Sequence, residues 1–112
     1  MLPQTFEKEY NKLKRRFPNI DNDFEELLDE IEIQGSLGDP WQGIIKDGNK
    51  VFKKRMKNTS ARKSKRGGFR VVEYLVTEDN TVYLLDIYSK SDKEDISKQR
   101  IRDLIKQNFN DR

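Results

Sequence analysis

Residues Lys50 to Lys90 read KVFKKRMKNTSARKSKRGGFRVVEYLVTEDNTVYLLDIYSK, and the order of signals in this stretch decides the fold. Its first part, Lys50 to Arg70, carries ten Lys and Arg and no acid. A double glycine, Gly67-Gly68, then opens apolar sequence that ends at Tyr88-Ser89-Lys90. Val71, Val72, Leu75, Val76, Val82, Leu84, Leu85 and Ile87 are apolar on both faces of an extended chain. Residues 69–77 and 81–89 are therefore expected as central strands, joined by a turn at Glu78-Asp79-Asn80. Val51 to Met56 reads as a third strand. Its period of two sends Lys53 and Arg55 outward together, while Phe52 and Met56 seek the core. Lys54 falls on the face of Phe52 and Met56, and its stem is expected to snorkel to an edge. A short strand over Trp41 to Lys46, turning at Asp47-Gly48, completes a hairpin with it. Asn58 to Arg66, NTSARKSKR, reads as a flexible basic loop.

Outward from this stretch the pattern turns helical. Phe6, Tyr10, Leu13 and Phe17 recur at steps of four and three, with Thr5 as the expected cap and Pro18 as the stop. Lys12, Lys14, Arg15 and Arg16 cluster at the C-terminal end, where they complement the helix dipole. A second helix is expected from a cap at Asp21 or Asn22 to about Gln34, burying Phe24, Leu27, Leu28 and Ile31. The short Asn19-Ile20 joint makes the two an αα-hairpin. Gly35 to Pro40 is a loop by its glycines and proline. At the far end, Ser91 to Glu94 fits a capping box for a helix through about Phe109, with Ile101, Leu104, Ile105 and Phe109 on one side. The expected architecture is α+β: two N-terminal helices packed on a small twisted antiparallel sheet of about four strands, with a C-terminal helix.

A chain of 112 residues forms one domain. Its net charge of +3 conceals segregation, since Asp21 to Gln34 holds seven acids and no base, the reverse of Lys50 to Arg70. Such a dipolar surface suits a polyanion on its basic side. With no cysteine there is no disulfide scaffold, thiol nucleophile or thiolate metal site. With no histidine, the commonest general base and metal ligand are also gone. The N-terminal MLPQTFEKEY lacks an apolar signal-peptide core and no run approaches a membrane span, so a cytoplasmic protein is expected.

Taken together, the element order and three segments resemble RelE/ParE-superfamily toxins of type II toxin–antitoxin systems, most closely RelE- and HigB-like members. The segments are Val51-Phe52-Lys53-Lys54-Arg55-Met56, Gly67-Gly68-Phe69-Arg70-Val71-Val72 and Leu84-Leu85-Asp86-Ile87-Tyr88-Ser89-Lys90. The resemblance implies an endoribonuclease that cuts mRNA on the translating ribosome without metal or other cofactor, held inactive by a cognate antitoxin. The RNA 2′-hydroxyl would attack the adjacent phosphate, leaving a 2′,3′-cyclic phosphate and a 5′-hydroxyl. By position, the resemblance makes Lys53 the proton acceptor, Arg55 a phosphate contact and Arg70 the stabiliser of the transition state. Tyr88 and Lys90 fall where the family places further active-site groups. Lys54, Lys63, Lys65 and Arg66 are expected to meet RNA backbone, including that of the ribosome.

The chemistry is compatible with that set. Metal-free phosphate transfer needs positive charge around the phosphate and a group that accepts the 2′-hydroxyl proton. Without histidine the acceptor is Lys, Tyr, a carboxylate or water, whereas arginine serves only as a fork for phosphate oxygens. The structural alternatives are surface charge for Lys53 and Arg55, packing for Tyr88, and an ion pair from Arg70 to Glu73 or Asp86. Glu73 also stands where relatives carry an aromatic or amide residue. Two other functional readings share the residues: a ParE-like toxin that inhibits gyrase, and a catalytically weak RNA-binding relative.

Overall fold

Phe6 and Leu13 are buried on one face of α1, Gln4–Arg16, as their spacing demands. The computed structural model describes residues 2–44 and 48–109 of the chain. Thr5 lies inside α1, and Pro3 occupies the cap without a side-chain bond, so the predicted threonine cap is not formed. Pro at a helix start is tolerated because its missing N–H belongs to a position that lacks a partner anyway. After Phe17 the chain turns into α2, Ile20–Glu32, whose Ile20, Phe24 and Leu27 are buried. Asn19 takes the cap position two or three residues before the predicted caps. Phe24 meets Phe6 and Tyr10 at ring separations of 5.6 and 5.1 Å, which closes the αα-hairpin.

The sheet has four antiparallel strands in sequence order: β1 Asp39–Pro40, β2 Lys50–Met56, β3 Phe69–Val76 and β4 Thr81–Ser89. The edge strand is thus Asp39–Pro40, within the stretch expected as a loop. Trp41 to Ile44 form no strand, and the remainder of that predicted strand, with Asp47 of its turn, lies outside the described residues. A proline suits a two-residue edge, where the ladder needs no donor from it. At the other side β4 is also an edge by hydrogen bonding, although both its faces are covered; only β2 and β3 are central. Helices α1 and α2 lie over one face, enclosing Met56, Phe69, Val71, Leu84 and Ile87. The other face carries Val51, Val72, Tyr74, Leu85 and Tyr88 beneath α3, Lys98–Phe109.

One irregularity in β4 decides which side chains share a face. Val72 pairs with Asp86 but Glu73 pairs with Leu84, so Leu85 is an extra residue. A bulge of this kind shifts the alternation by one. Leu84 packs under α1 and α2, and Leu85 under α3. Beyond the bulge Ile87 returns to the α1–α2 side, leaving Tyr88 on the α3 side. Under strict alternation Tyr88 would share the face of Leu84, away from Lys53 and Arg55.

The basic loop is ordered rather than featureless. Asn58 and Lys63 exchange two backbone hydrogen bonds of 2.9 and 2.8 Å around a 3₁₀ turn at Thr59–Ala61, and Arg62 takes a left-handed φ of 56°. Buried Asp23 of α2 accepts from both the N–H and the hydroxyl of Thr59, pinning the turn to the helix layer. Gly68 is needed for a different reason: a Cβ there would lie 2.3 Å from Met56 O. That close approach lets the loop return onto the end of β2. At the C-terminal side, Ser91–Glu94 caps nothing. The helix starts later, and Ser97 Oγ accepts from Arg100 N–H at 3.0 Å. Phe109 closes the second core between Tyr74 and Tyr83. No helix is long and apolar enough to cross a membrane among the described residues.

Candidate functional site

Arg55, Arg70 and Tyr88 stand directly opposite one another across β2, β3 and β4. This register, with the bulge, brings the three chemistry-bearing segments together at one end of the sheet. Lys53 lies two residues before Arg55 on the same face, and Lys90 follows β4, its N–H bonded to Gly68 O at 3.0 Å. All five line one cavity of about 230 Å³, together with Asp39, Glu94 and Asp95. Two guanidinium groups in cross-strand register repel each other, a cost that an anion between them would remove. The Arg70 guanidinium is pushed below its ordinary range by burial first and by Arg55 second.

The five residues are held differently. Lys53 Nζ sits 3.1 Å from Asp95 Oδ2 and 4.3 Å from the Trp41 ring centroid, between a carboxylate and an aromatic face. Tyr88 is buried, and its hydroxyl donates to Asp95 Oδ1 at 3.1 Å. Burial, then the Asp95 charge, raise the Tyr88 hydroxyl well above its usual range, so it acts as a neutral donor. With its ring enclosed, stacking on an RNA base is not open to it in this conformation. Arg70 is also buried, and its fork is engaged: Nη1 donates to Lys65 O and Phe69 O, and Nη2 to Arg66 O, at 2.7 to 3.1 Å. Arg55 is exposed and, like Lys90, makes no ion pair among the described residues.

Of the residues expected to meet RNA backbone, Lys63 and Arg66 are exposed. Lys65 pairs instead with Glu30 of α2 at 2.8 Å. Lys54 does not reach an outer edge and is not part of that surface. It is only 6% exposed, on the α2 side of the sheet, with Nζ 3.1 Å from Ser36 Oγ and 3.4 Å from Glu30. A phosphate contact from there would require dismantling the helix layer.

Glu73 lies on that same side, away from Arg70, and so neither sequesters the guanidinium nor faces the cavity. Its side chain is fully buried, with Oε1 accepting from Gly38 N–H at 2.8 Å and Oε2 unpartnered among the described residues. Asp86 is buried too, its Oδ1 accepting from Ile87 N–H, so neither carboxylate makes the ion pair that was the structural alternative for Arg70. Burial raises the Glu73 carboxyl, outweighing the Gly38 N–H and Lys54. A raised folded-state value means its contribution is complete below the unfolded value near 4 and is lost as pH rises. Glu73→Gln is therefore expected to stabilise the protein at pH 8 by about 1 kcal/mol. The gain should shrink toward pH 4, and thermal unfolding at both pH values measures it. Equal destabilisation at the two would refute the account.

Asp95, Asp39 and Glu94 were not anticipated from sequence. Asp95 is the most informative of them, since it bonds two of the five site residues. Burial pushes its carboxyl up, but Lys53, the Ile96 N–H and Tyr88 together hold it below the ordinary range. The available signal was Ser97: placing the helix start there leaves 91–96 as a turn returning across the end of β4. Among the described residues no three His, Cys, Asp or Glu side chains converge as a metal-binding group. Compared with protein-family models and with curated proteins, the sequence matches none.

Proposed function

We propose that this chain is a metal-independent endoribonuclease acting on mRNA at the ribosome in the cytoplasm, the toxin of a toxin–antitoxin pair. The observation that supports this most is the shared cavity: four cations and a tyrosine from three neighbouring strand segments around about 230 Å³. Arg55 supplies the exposed guanidinium for phosphate oxygens, and Lys90 adds charge beside it. Lys53 is the assigned proton acceptor for the 2′-hydroxyl, and it must first exchange its contact with Asp95. Tyr88 donates toward the leaving oxygen once Asp95 yields. An antitoxin would lay acidic side chains over the same face.

A catalytically weak RNA-binding relative is the second reading, favoured by the carboxylate on Lys53 and the engaged fork of Arg70. Expressing the chain alone and mapping RNA 5′ ends decides between them. The nuclease predicts arrested growth with new 5′-hydroxyl ends in coding regions, both relieved by Arg55→Ala with Lys53→Ala. An RNA-binding relative gives steeply salt-dependent binding and intact RNA. Intact transcripts with DNA-damage signalling would point to the ParE-like alternative, and normal growth with intact RNA would remove the toxin reading.

A further inference from the structure

The engaged fork of Arg70 carries a further assignment, which rests on RNA being the ligand. We infer that Arg70 is a positioning residue: it holds the basic loop in one conformation, and the loop's exposed cations meet the RNA backbone. With three of its five N–H donors spent on backbone carbonyls, Arg70 cannot turn its whole fork to a phosphate, whereas Arg55 opposite it is open. Two of those carbonyls, of Lys65 and Arg66, belong to the loop itself, and the third, of Phe69, belongs to β3. Arg70 thus ties the C-terminal limb of the loop to the strand that lines the cavity. The N-terminal limb is tied through the Asn58–Lys63 bonds and Asp23, and the segment between the limbs is fixed only while both are held. Between these anchors Arg62, Lys63 and Arg66 are exposed and make no ion pair among the described residues. Three cations on an ordered loop bind a polyanion with less ordering entropy than the same three on a free one.

Arg70→Lys tests this because it keeps the charge and loses the fork. Binding of a short RNA carrying 2′-O-methyl groups, which cannot be cleaved, is measured against salt for wild type, Arg70→Lys and Arg55→Ala. Each lost single-strand phosphate contact flattens the log–log slope by about 0.7. Arg55→Ala should flatten it by roughly that amount. Arg70→Lys should flatten it by roughly 1.4–2, as two or three loop contacts go. In parallel, the Lys63 and Gly67 amides, both bonded inside the loop, should exchange at least tenfold faster in Arg70→Lys, with the β3–β4 ladder unchanged. An unchanged slope overturns the assignment, whether or not the loop amides speed up. General acceleration of the ladder also overturns it, since that marks a role in stability alone. If the wild type binds no RNA, the nuclease reading fails. The loop amides then decide by themselves whether Arg70 holds the loop.

Discussion

Replacing Asp95 by Asn is expected to tighten binding of a non-cleavable RNA by about fivefold at low salt. The carboxylate lies 3.1 Å from both Lys53 Nζ and the Tyr88 hydroxyl, which are the donors an entering phosphate would seek. Removing a negative charge about 4 Å from a phosphate is worth ~4 kcal/mol at an effective dielectric of 20. That figure is too large here. The Lys53 and Asp95 side chains are 30% and 44% exposed, so solvent screens the pair to about 1 kcal/mol. Because Asp95 is held below the ordinary carboxylate range, it stays ionised through neutral pH. The tightening should therefore be flat between about pH 5 and 8. Fluorescence anisotropy at two salt concentrations measures it. Weaker binding by Asp95→Asn would mean that the carboxylate's main service is to hold Lys53 and Tyr88 in place. Glu94→Gln, on the same cavity but without a bond to either residue, should give a smaller gain.

Asp95 also shows where sequence reading stops. The strands of the core were legible because period two and helical spacing are local. Residues 81–89 fall as expected, and the other two long strands differ only at their ends. The shared outward face of Lys53 and Arg55 followed from alternation, and Arg70 was grouped with them by resemblance. Tyr88 was grouped with them by resemblance, but strict alternation would have sent it to the other face. What turns it is the extra residue at Leu85, and nothing in Leu84-Leu85-Asp86 distinguishes a bulge from regular pleating. Caps failed for a similar reason. Thr5, Asp21 and Ser91 all have the right chemistry, but the position of a helix start depends on tertiary contacts that such signals do not carry. The burial of Lys54 and the pairing of exposed Lys65 were likewise missed because Glu30, their common partner, is distant in sequence. A charge run reports the cations in a segment, not where their partners lie.

The largest expected loss of stability comes from a residue with no side chain. Gly38→Ala should destabilise the fold by about 3 kcal/mol, lowering the melting temperature by roughly 10–15 °C. A Cβ on Gly38 would lie 2.0 Å from Lys53 O and 2.5 Å from Lys54 N, and both are backbone atoms of a central strand. They cannot rotate aside as a side chain would, so the 36–39 segment must lift off β2. Lifting it breaks the Gly38 N–H bond to Glu73, the one hydrogen bond of that buried carboxylate among the described residues. The two effects are coupled, and a double-mutant cycle separates them. In a Glu73→Gln background Gly38→Ala should cost about 1 kcal/mol less, because an amide suffers less than a carboxylate when its donor is withdrawn. Gly67→Ala serves as the control, since its nearest neighbour would be Lys63 Cδ at an ordinary 3.5 Å. The consequence extends to the cavity. Asp39 pairs with Lys53 in the register, and the Trp41 N–H bonds Val51 O at 2.8 Å, so the lifted segment carries away two groups that surround Lys53. Gly38→Ala should therefore weaken RNA binding even at temperatures where the protein remains folded. Additive stabilities in the cycle, with RNA affinity unchanged, would show that this edge of the sheet neither depends on Glu73 nor shapes the site.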